Sequence, residues 1–193
     1  LILLLLAMPS LSQSIEDPYQ KIEAVSQQLV VIIGAHQKEY PKNEKQYFEA
    51  ISGLMDGLVD FRYIAKKVMG PYKAMATQQQ IALFAQIFRQ GLIETYSRGL
   101  INYKDQKIVL VEQKPLKNGQ RTLVVKQEIR SSGNVFSLNY SMARKKTGEW
   151  MVINMSISGI NLRDIFRNQF LQAAQKSSGD IDTVITGWTS DID

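Results

Sequence analysis

The sequence predicts an α+β fold in which a four-stranded antiparallel meander is covered on one face by N-terminal and C-terminal helices. Apolar residues recur at helical spacing up to about Ile101 and again after Gly159, and between these regions they alternate with polar residues. The chain has 193 residues, of which 45% are hydrophobic. That length is enough to bury a core, so we expect one domain.

The first twelve residues differ from the rest of the chain. Leu1 to Met8 are apolar and uncharged but too few to span a bilayer, and Pro9 to Ser12 supply small and helix-breaking residues. This pattern predicts the remnant of a signal peptide over residues 1–12 and a single domain over residues 13–193. An apolar strand or a buried N-terminal helix is the alternative interpretation.

Two helices are predicted in the first part of the domain. Asp17 and Pro18 form an N-cap and first-turn pair, and apolar residues follow at helical spacing to about His36. The same spacing recurs from Asn43 to Val59. Both segments are therefore predicted to be amphipathic helices.

Two more helices are predicted before the first strand. Asp60 can cap a short helix that stops at Gly70. Thr77 and Gln80 then have the spacing of a capping box, which begins a long helix that ends near Ile101.

The strands are predicted from alternation and from short separators that each contain a glycine. The separators are short enough to form hairpins, so we expect a hairpin between each pair of consecutive strands. The four predicted strands are Lys107 to Lys114, Arg121 to Arg130, Val135 to Ala143 and Glu149 to Ile157. The helical period then returns after Gly159, and a last short helix is predicted between Gly179 and Trp188.

The sequence is poor in cysteine and histidine, on which much enzyme chemistry depends, and it has none of the common catalytic motifs. It has no cysteine and a single histidine, His36, at a predicted helix end. It contains no P-loop, dinucleotide-binding, nucleophile-elbow or zinc-protease motif. Asp180 and Asp182 stand at a predicted helix start, where carboxylates stabilise the helix. We therefore expect neither an enzyme nor a metal or cofactor site.

The charge distribution favours an anionic partner. The net charge of +5 is modest for a nucleic-acid-binding protein but suits an anionic membrane surface or ligand. From Asp60 to Asp105 there are seven basic and three acidic side chains among large apolar residues. An apolar chamber with a basic lip would have this pattern, and so would a filled core with a basic exterior.

One run of residues resembles a known family. Val59 to Gly70 (VDFRYIAKKVMG), followed by Ala76 and Thr77, resembles the central signature of the MlaC or toluene-tolerance family. The resemblance continues along nearly the whole domain through Phe88-Arg89, Thr95-Tyr96, Gly99 to Tyr103, Gly159 to Leu162, Phe166 to Phe170 and Gly179 to Ile185. No single motif carries it alone.

The resemblance implies a periplasmic phospholipid carrier. Such proteins move lipid between an outer-membrane lipoprotein complex and an inner-membrane ABC transporter that has an MCE-domain subunit. The family fold resembles a cystatin-like or NTF2-like cone that holds acyl chains in an apolar cavity between helices and a curved sheet. We therefore expect a phospholipid ligand with two buried acyl chains, these two membrane complexes as partners, no nucleic acid partner and no transmembrane segment.

Candidate site residues follow from the resemblance together with the pattern. The candidate cavity lining is aromatic or aliphatic: Phe61, Ile64, Val68, Tyr72, Phe84, Phe88, Leu92, Tyr96, Phe136, Leu138, Tyr140, Leu162, Phe166 and Phe170. The candidates for contact with the head group or with acidic partner surfaces are basic: Lys66, Lys67, Arg89, Arg98 and Arg167. Two positions depart from the family pattern. Gln78 replaces a common proline and Pro71 replaces a common basic residue.

Other functions stay open at this point. A carrier of a different apolar ligand would have the same sequence pattern. A periplasmic hydrolase or isomerase is a second class, since cone-like α+β folds can host enzymes. A third is a structural adaptor whose apolar residues all belong to the core.

Overall fold

The computed structural model describes residues 16–190, so the predicted leader of residues 1–12 lies outside the described residues. The described part has the predicted order of helices, antiparallel meander and helices. The helices are α1 (Pro18–His36), α2 (Glu44–Asp56), α3 (Phe61–Val68), α4 (Gln78–Leu100), α5 (Leu162–Lys176) and α6 (Ile181–Thr186). The strands are β1 (Lys107–Glu112), β2 (Thr122–Ser131), β3 (Asn134–Arg144), β4 (Trp150–Ile157) and β5 (Ile160–Asn161).

The predicted helix caps are present. The Asp17 carboxylate accepts hydrogen bonds from the first backbone N–H groups of α1, the closest at 2.8 Å from Tyr19. At the start of α4, the Thr77 side chain accepts from the Gln80 backbone at 3.1 Å, and the Gln80 side chain accepts from the Thr77 backbone at 2.8 Å. These contacts satisfy donors that a helix start leaves without partners, so they fix where α1 and α4 begin.

The strand bounds differ from the prediction by at most two residues, and two helices end differently. Helix α2 ends at Asp56, because the following residues pair with the sheet: Val152 donates to the Leu58 carbonyl at 2.8 Å and Asp60 donates to the Val152 carbonyl at 3.0 Å. After α3, the chain does not stop turning at Gly70 but continues as a 3-10 turn over Gly70–Ala74.

The sheet is antiparallel with strand order β1-β2-β3-β4-β5, which confirms the predicted meander. The prediction missed β5, whose two residues pair with the end of β4. Such a short strand carries no alternation that a sequence could reveal.

Three apolar clusters form the described core. One lies among helices α3 to α6. A second joins α1 to one face of the sheet, and a third joins α1 and α2 to the C-terminal half of α4. The sheet face that meets α1 is called the inner face below. Helices therefore cover one side of the sheet, as the α+β prediction requires.

Candidate functional site

The inner face carries the predicted lining residues of β3. Phe136, Leu138 and Tyr140 stand directly opposite Ile129, Gln127 and Val125 of β2 in the register. Residues directly opposite each other in an antiparallel pair project from the same face. All six therefore share the inner face, which the helix α1 crosses where the Ser26 hydroxyl donates to Gln127 Oε1 at 3.1 Å.

The two ends of this row differ in exposure. Phe136 is 46% exposed, Leu138 is 5% exposed and Met142 is fully buried. Between them, Tyr140 lies beneath α1, and burial raises the pKa of its phenol above the usual value. The inner face thus presents an apolar row that is accessible at the β2–β3 hairpin and closed at its other end.

A second group of predicted lining residues forms a tightly packed aromatic cluster among the helices. Its phenylalanines come from α4 and α5 and are fully or nearly fully buried. The ring centroids of Phe84 and Phe170 are 4.9 Å apart, and those of Phe88 and Phe166 are 5.3 Å apart. Ile64 and Val68 of α3 belong to the same core. In this conformation these six residues pack against one another.

Sequence analysis missed the fifth ring of this cluster. Trp188 follows α6 and lies within 5.2–6.5 Å of four phenylalanine rings, centroid to centroid: Phe84, Phe88, Phe166 and Phe170. We name these five residues the aromatic cluster. The sequence did contain a signal for this contact, namely an aromatic residue directly after the helix-ending Gly187. A hydrophobic residue just beyond a helix C-terminus often packs against the core.

The remaining predicted lining residues stand at the margin of the helical core. They are half-buried and pack against the buried members: Phe61, Tyr72, Leu92, Tyr96 and Leu162. The structure therefore places eleven of the fourteen predicted lining residues in or against the helical core. It places Phe136, Leu138 and Tyr140 on the sheet.

Two of the predicted head-group residues already have acidic partners. The Arg89 guanidinium forms a two-pronged ion pair with Asp56 of α2, and it also donates to the Ser52 hydroxyl. The hydrogen bond to Asp56 raises the pKa of Arg89. Arg98 Nε lies 3.2 Å from a Glu44 carboxylate oxygen and its guanidinium covers the Phe48 ring. Both side chains connect α4 to α2.

The other basic candidates are positioned differently. Lys66 and Lys67 occupy the last turn of α3, where cations stabilise the helix, and the Lys67 amine lies 5.4 Å from the Tyr63 ring centre. Arg167 is exposed on α5 and its side chain approaches Gly70. In the described part of the chain, none of these three forms an ion pair with a carboxylate.

The acidic pair near the C-terminus is structural. Asp180 caps α6 by accepting from the backbone of Asp182 and Thr183, and hydrogen bonds from Thr183 lower the pKa of Asp180. Asp182 accepts from the Gln80 side chain at 2.8 Å.

A separate open groove of about 420 Å³ lies between α1 and α2 and contains none of the predicted lining residues. No helix within residues 16–190 has the length and apolar character needed to cross a membrane. Within the same residues, no three acidic or histidine side chains converge as a metal site would require.

Comparison with known proteins places this arrangement in a family. The sequence model of the MlaC protein matches residues 23–190. The chain belongs to the MlaC family. A relative from Pseudomonas putida, named toluene tolerance protein ttg2D, is 28% identical over 193 residues, which is 100% of this chain and 89% of that protein.

Two further relatives share the fold or the sequence. The intermembrane phospholipid transport system binding protein MlaC of Haemophilus influenzae is 25% identical over 172 residues, which is 88% of this chain and 79% of that protein. A solved structure of the phospholipid-binding protein from Ralstonia solanacearum, in complex with a phospholipid, superposes with a TM-score of 0.78. The superposition covers 89% of this chain and 94% of that one at 20% identity, so it shows that the MlaC fold is shared.

Proposed function

We propose that this chain is a periplasmic phospholipid carrier that shields two acyl chains and passes the lipid between the outer membrane and an inner-membrane MCE-type ABC transporter. The observation that carries the proposal is the inner-face row of β3, which is accessible at Phe136 and fully buried at Met142. A relative is named for intermembrane phospholipid transport, and a protein of the same fold is named as a phospholipid-binding protein.

The dimensions of this row suit an acyl chain. Six residue steps separate Phe136 from Met142, and a strand rises about 3.4 Å per residue, so the row is about 20 Å long. One leaflet of a bilayer has a hydrocarbon depth of roughly 15 Å. An acyl chain that leaves the bilayer and lies along the row would therefore exchange the hydrocarbon of one leaflet for a protein surface of similar length.

The energetic need for such a surface is large. Each methylene exposed to water costs about 0.8 kcal/mol, so two chains with roughly 30 methylenes would cost on the order of 24 kcal/mol. A carrier must remove most of this cost without binding the lipid much more tightly than membranes do. The sequence contains no nucleotide-binding motif. We therefore infer that the direction of transfer is set by the two membrane complexes.

Lipid recovery tests the proposal directly. The protein is purified from a Gram-negative host without detergent, analysed by native mass spectrometry, and extracted for lipid identification. We expect a bound species with the mass of one diacyl phospholipid, which is lost on extraction and regained from vesicles. Protein that repeatedly carries no lipid and takes none from vesicles would contradict the carrier function. Recovery of a different apolar molecule would replace phospholipid as the ligand, and release of a chemically altered lipid would favour the enzyme alternative.

A further inference from the structure

The segment after α6 closes the aromatic cluster from outside. Trp188 is the half-buried member of that cluster, and its indole meets the edge or face of all four phenylalanine rings. The four phenylalanines lie on the long helices α4 and α5, whereas Trp188 lies in an irregular segment, Gly187 to Ser190, which we name the C-terminal strap. Contact with a ligand at these phenylalanines would thus require the strap to move.

Among the described residues, the hydrogen bonds of the strap lie within it or join it to the end of α6. The indole N–H of Trp188 donates to the Ser190 hydroxyl at 3.2 Å, and the Trp188 backbone donates to Ile185 of α6. Within the described residues, the backbone N–H groups of Thr189 and Ser190 make no backbone hydrogen bond. Within residues 16–190, movement of the strap away from the aromatic cluster therefore breaks no hydrogen bond between the strap and α4 or α5, and the cost of an unpaired buried group is avoided there.

A close contact with α4 holds the strap in place. Ser190 is almost fully buried against Gly91. A Cβ atom at position 91 would lie 2.5 Å from the Ser190 hydroxyl oxygen and 3.2 Å from its Cβ. A side chain at position 91 would therefore displace Ser190, so the packing of Ser190 on α4, called its seat below, requires glycine there. Glycine within a helix otherwise lowers the stability of the helix. The preceding helix α6 stays attached to α4 through Gln80 and Asp182.

We propose that the strap is a movable wall of the acyl site: Trp188 and Ser190 move outward from α4, and an acyl chain lies between Trp188 and the phenylalanines of α4 and α5. This inference deepens the proposed carrier function and rests on it. Replacing one apolar contact by another makes the exchange nearly neutral, as reversible lipid binding requires.

The two tryptophans of the sequence allow the location of the acyl chains to be measured. Trp150 belongs to the cluster between α1 and the sheet, and Trp188 to the aromatic cluster. Trp150→Phe leaves Trp188 as the sole reporter, and Trp188→Phe leaves Trp150. Each protein is delipidated and loaded with phosphatidylglycerol whose acyl chains are brominated, which quenches tryptophan fluorescence on contact. Native mass spectrometry confirms that lipid is bound.

We expect quenching of Trp188 in the loaded Trp150→Phe protein. Loaded protein in which Trp188 is unquenched would overturn the movable wall and leave the carrier function standing, with the chains confined to the sheet. Absence of lipid from every variant and from the unsubstituted protein would instead refute the carrier function itself.

Movement of the strap is tested separately at Gly91. In the Trp150→Phe background, Gly91→Ala should displace Ser190 and shift the emission of lipid-free Trp188 to longer wavelength. It should also speed lipid uptake roughly threefold to tenfold, the scale of one lost aromatic pair. Gly99→Ala is the matched control, because Gly99 lies on the same helix with open space at its Cβ position. Unchanged emission and uptake in Gly91→Ala would contradict the proposal. If that variant does not fold, Ser190→Gly removes the side chain that packs on Gly91 without adding atoms. It must then give the same shift in Trp188 emission and the same faster lipid uptake.

Discussion

Arg89 of α4 binds Asp56 of α2 through two nitrogens, with Nε 2.6 Å from Oδ1 and Nη2 2.6 Å from Oδ2. The guanidinium also lies 6.0 Å from the Phe61 ring centre. A cation held in this way has most of its donors occupied by protein groups. Arg89 therefore helps to attach α2 to α4. Because its donors are engaged in this way, the structure favours this role over the predicted contact with a head group.

The first prediction concerns this ion pair. Arg89→Met and Asp56→Ala should each lower the free energy of unfolding, and their combination should show a coupling energy of about 1 kcal/mol, since the pair is partly exposed. Urea unfolding of the four proteins measures it. We expect lipid loading of the folded Arg89→Met protein to be unchanged, and a loss of loading without a loss of stability would restore Arg89 to the head-group site.

Arg167 gives the second prediction, because it is exposed and has no carboxylate partner in the described residues. Arg167→Glu should reduce loading from vesicles that contain phosphatidylglycerol by several-fold, and the effect should shrink at high salt. Lys176→Glu is the matched control, since it makes the same change of charge on an exposed residue of α5. Equal loading of the two variants would show that only net charge matters.

Local signals in the sequence were sufficient for much of this fold. The Asp17 cap and the Thr77–Gln80 capping box involve residues two or three positions apart, so their contacts could be predicted from spacing. The alternation of β3 likewise predicted which residues share a face, and the register with β2 confirms it. Each of these features depends on neighbours along the chain.

The features that were missed depend on distant residues. Arg89 and Asp56 are 33 positions apart, and Gly91 meets Ser190 across almost a hundred positions of sequence. Helix α2 ends early because the backbone N–H of Val152 in β4 donates a hydrogen bond to the Leu58 carbonyl. Tertiary contacts overrode helical spacing there, and no pattern within α2 reports them.

The third prediction follows from buried tyrosines. Burial raises the pKa of Tyr47 to about 12 and raises that of Tyr140 as well, because a buried tyrosinate is poorly solvated. An unfolded tyrosine ionises near pH 10. The stability that these neutral phenols contribute is thus complete below pH 10 and falls as the pH rises toward 12.

Chemical unfolding at pH 8, 9, 10 and 11 measures this dependence. Tyr47→Phe should be less stable at pH 8 by about 1 kcal/mol, because the Tyr47 hydroxyl donates to the Ser97 carbonyl at 3.0 Å. Its stability should nevertheless decline less steeply above pH 10 than that of the unsubstituted protein. Parallel curves would mean that Tyr47 ionises normally in the folded state.

Gly70 supports the fourth prediction. Its φ of +55° is a left-handed conformation, and a Cβ atom there would lie 3.3 Å from Arg167 Nε. Gly70→Ala should therefore cost about 1–2 kcal/mol of stability. Gly34→Ala, in α1 with open space around it, should be neutral or stabilising by up to about 1 kcal/mol. Urea unfolding compares them, and destabilisation by both would point to a general intolerance of alanine.

The fifth prediction separates a ligand-lining residue from a core residue. Phe136 is 46% exposed on the inner face, and the adjacent Val135 is 58% exposed on the opposite face. Neither side chain is buried, so Phe136→Ala and Val135→Ala should each change stability by less than about 1 kcal/mol. Only Phe136→Ala removes apolar surface from the start of the inner-face row. Its lipid affinity should drop by roughly tenfold, which corresponds to about 1.4 kcal/mol.

Competition for labelled lipid between vesicles and each variant measures this difference. If the acyl chains enter at the β2–β3 hairpin, Phe136→Ala should lose loading while its unfolding curve stays unchanged, and Val135→Ala should match the unsubstituted protein in both. A loss of loading in both variants would implicate the hairpin as a whole rather than one face. Full loading of Phe136→Ala would place the accessible end of the acyl site elsewhere, and the aromatic cluster closed by Trp188 would then be the remaining candidate for the acyl site.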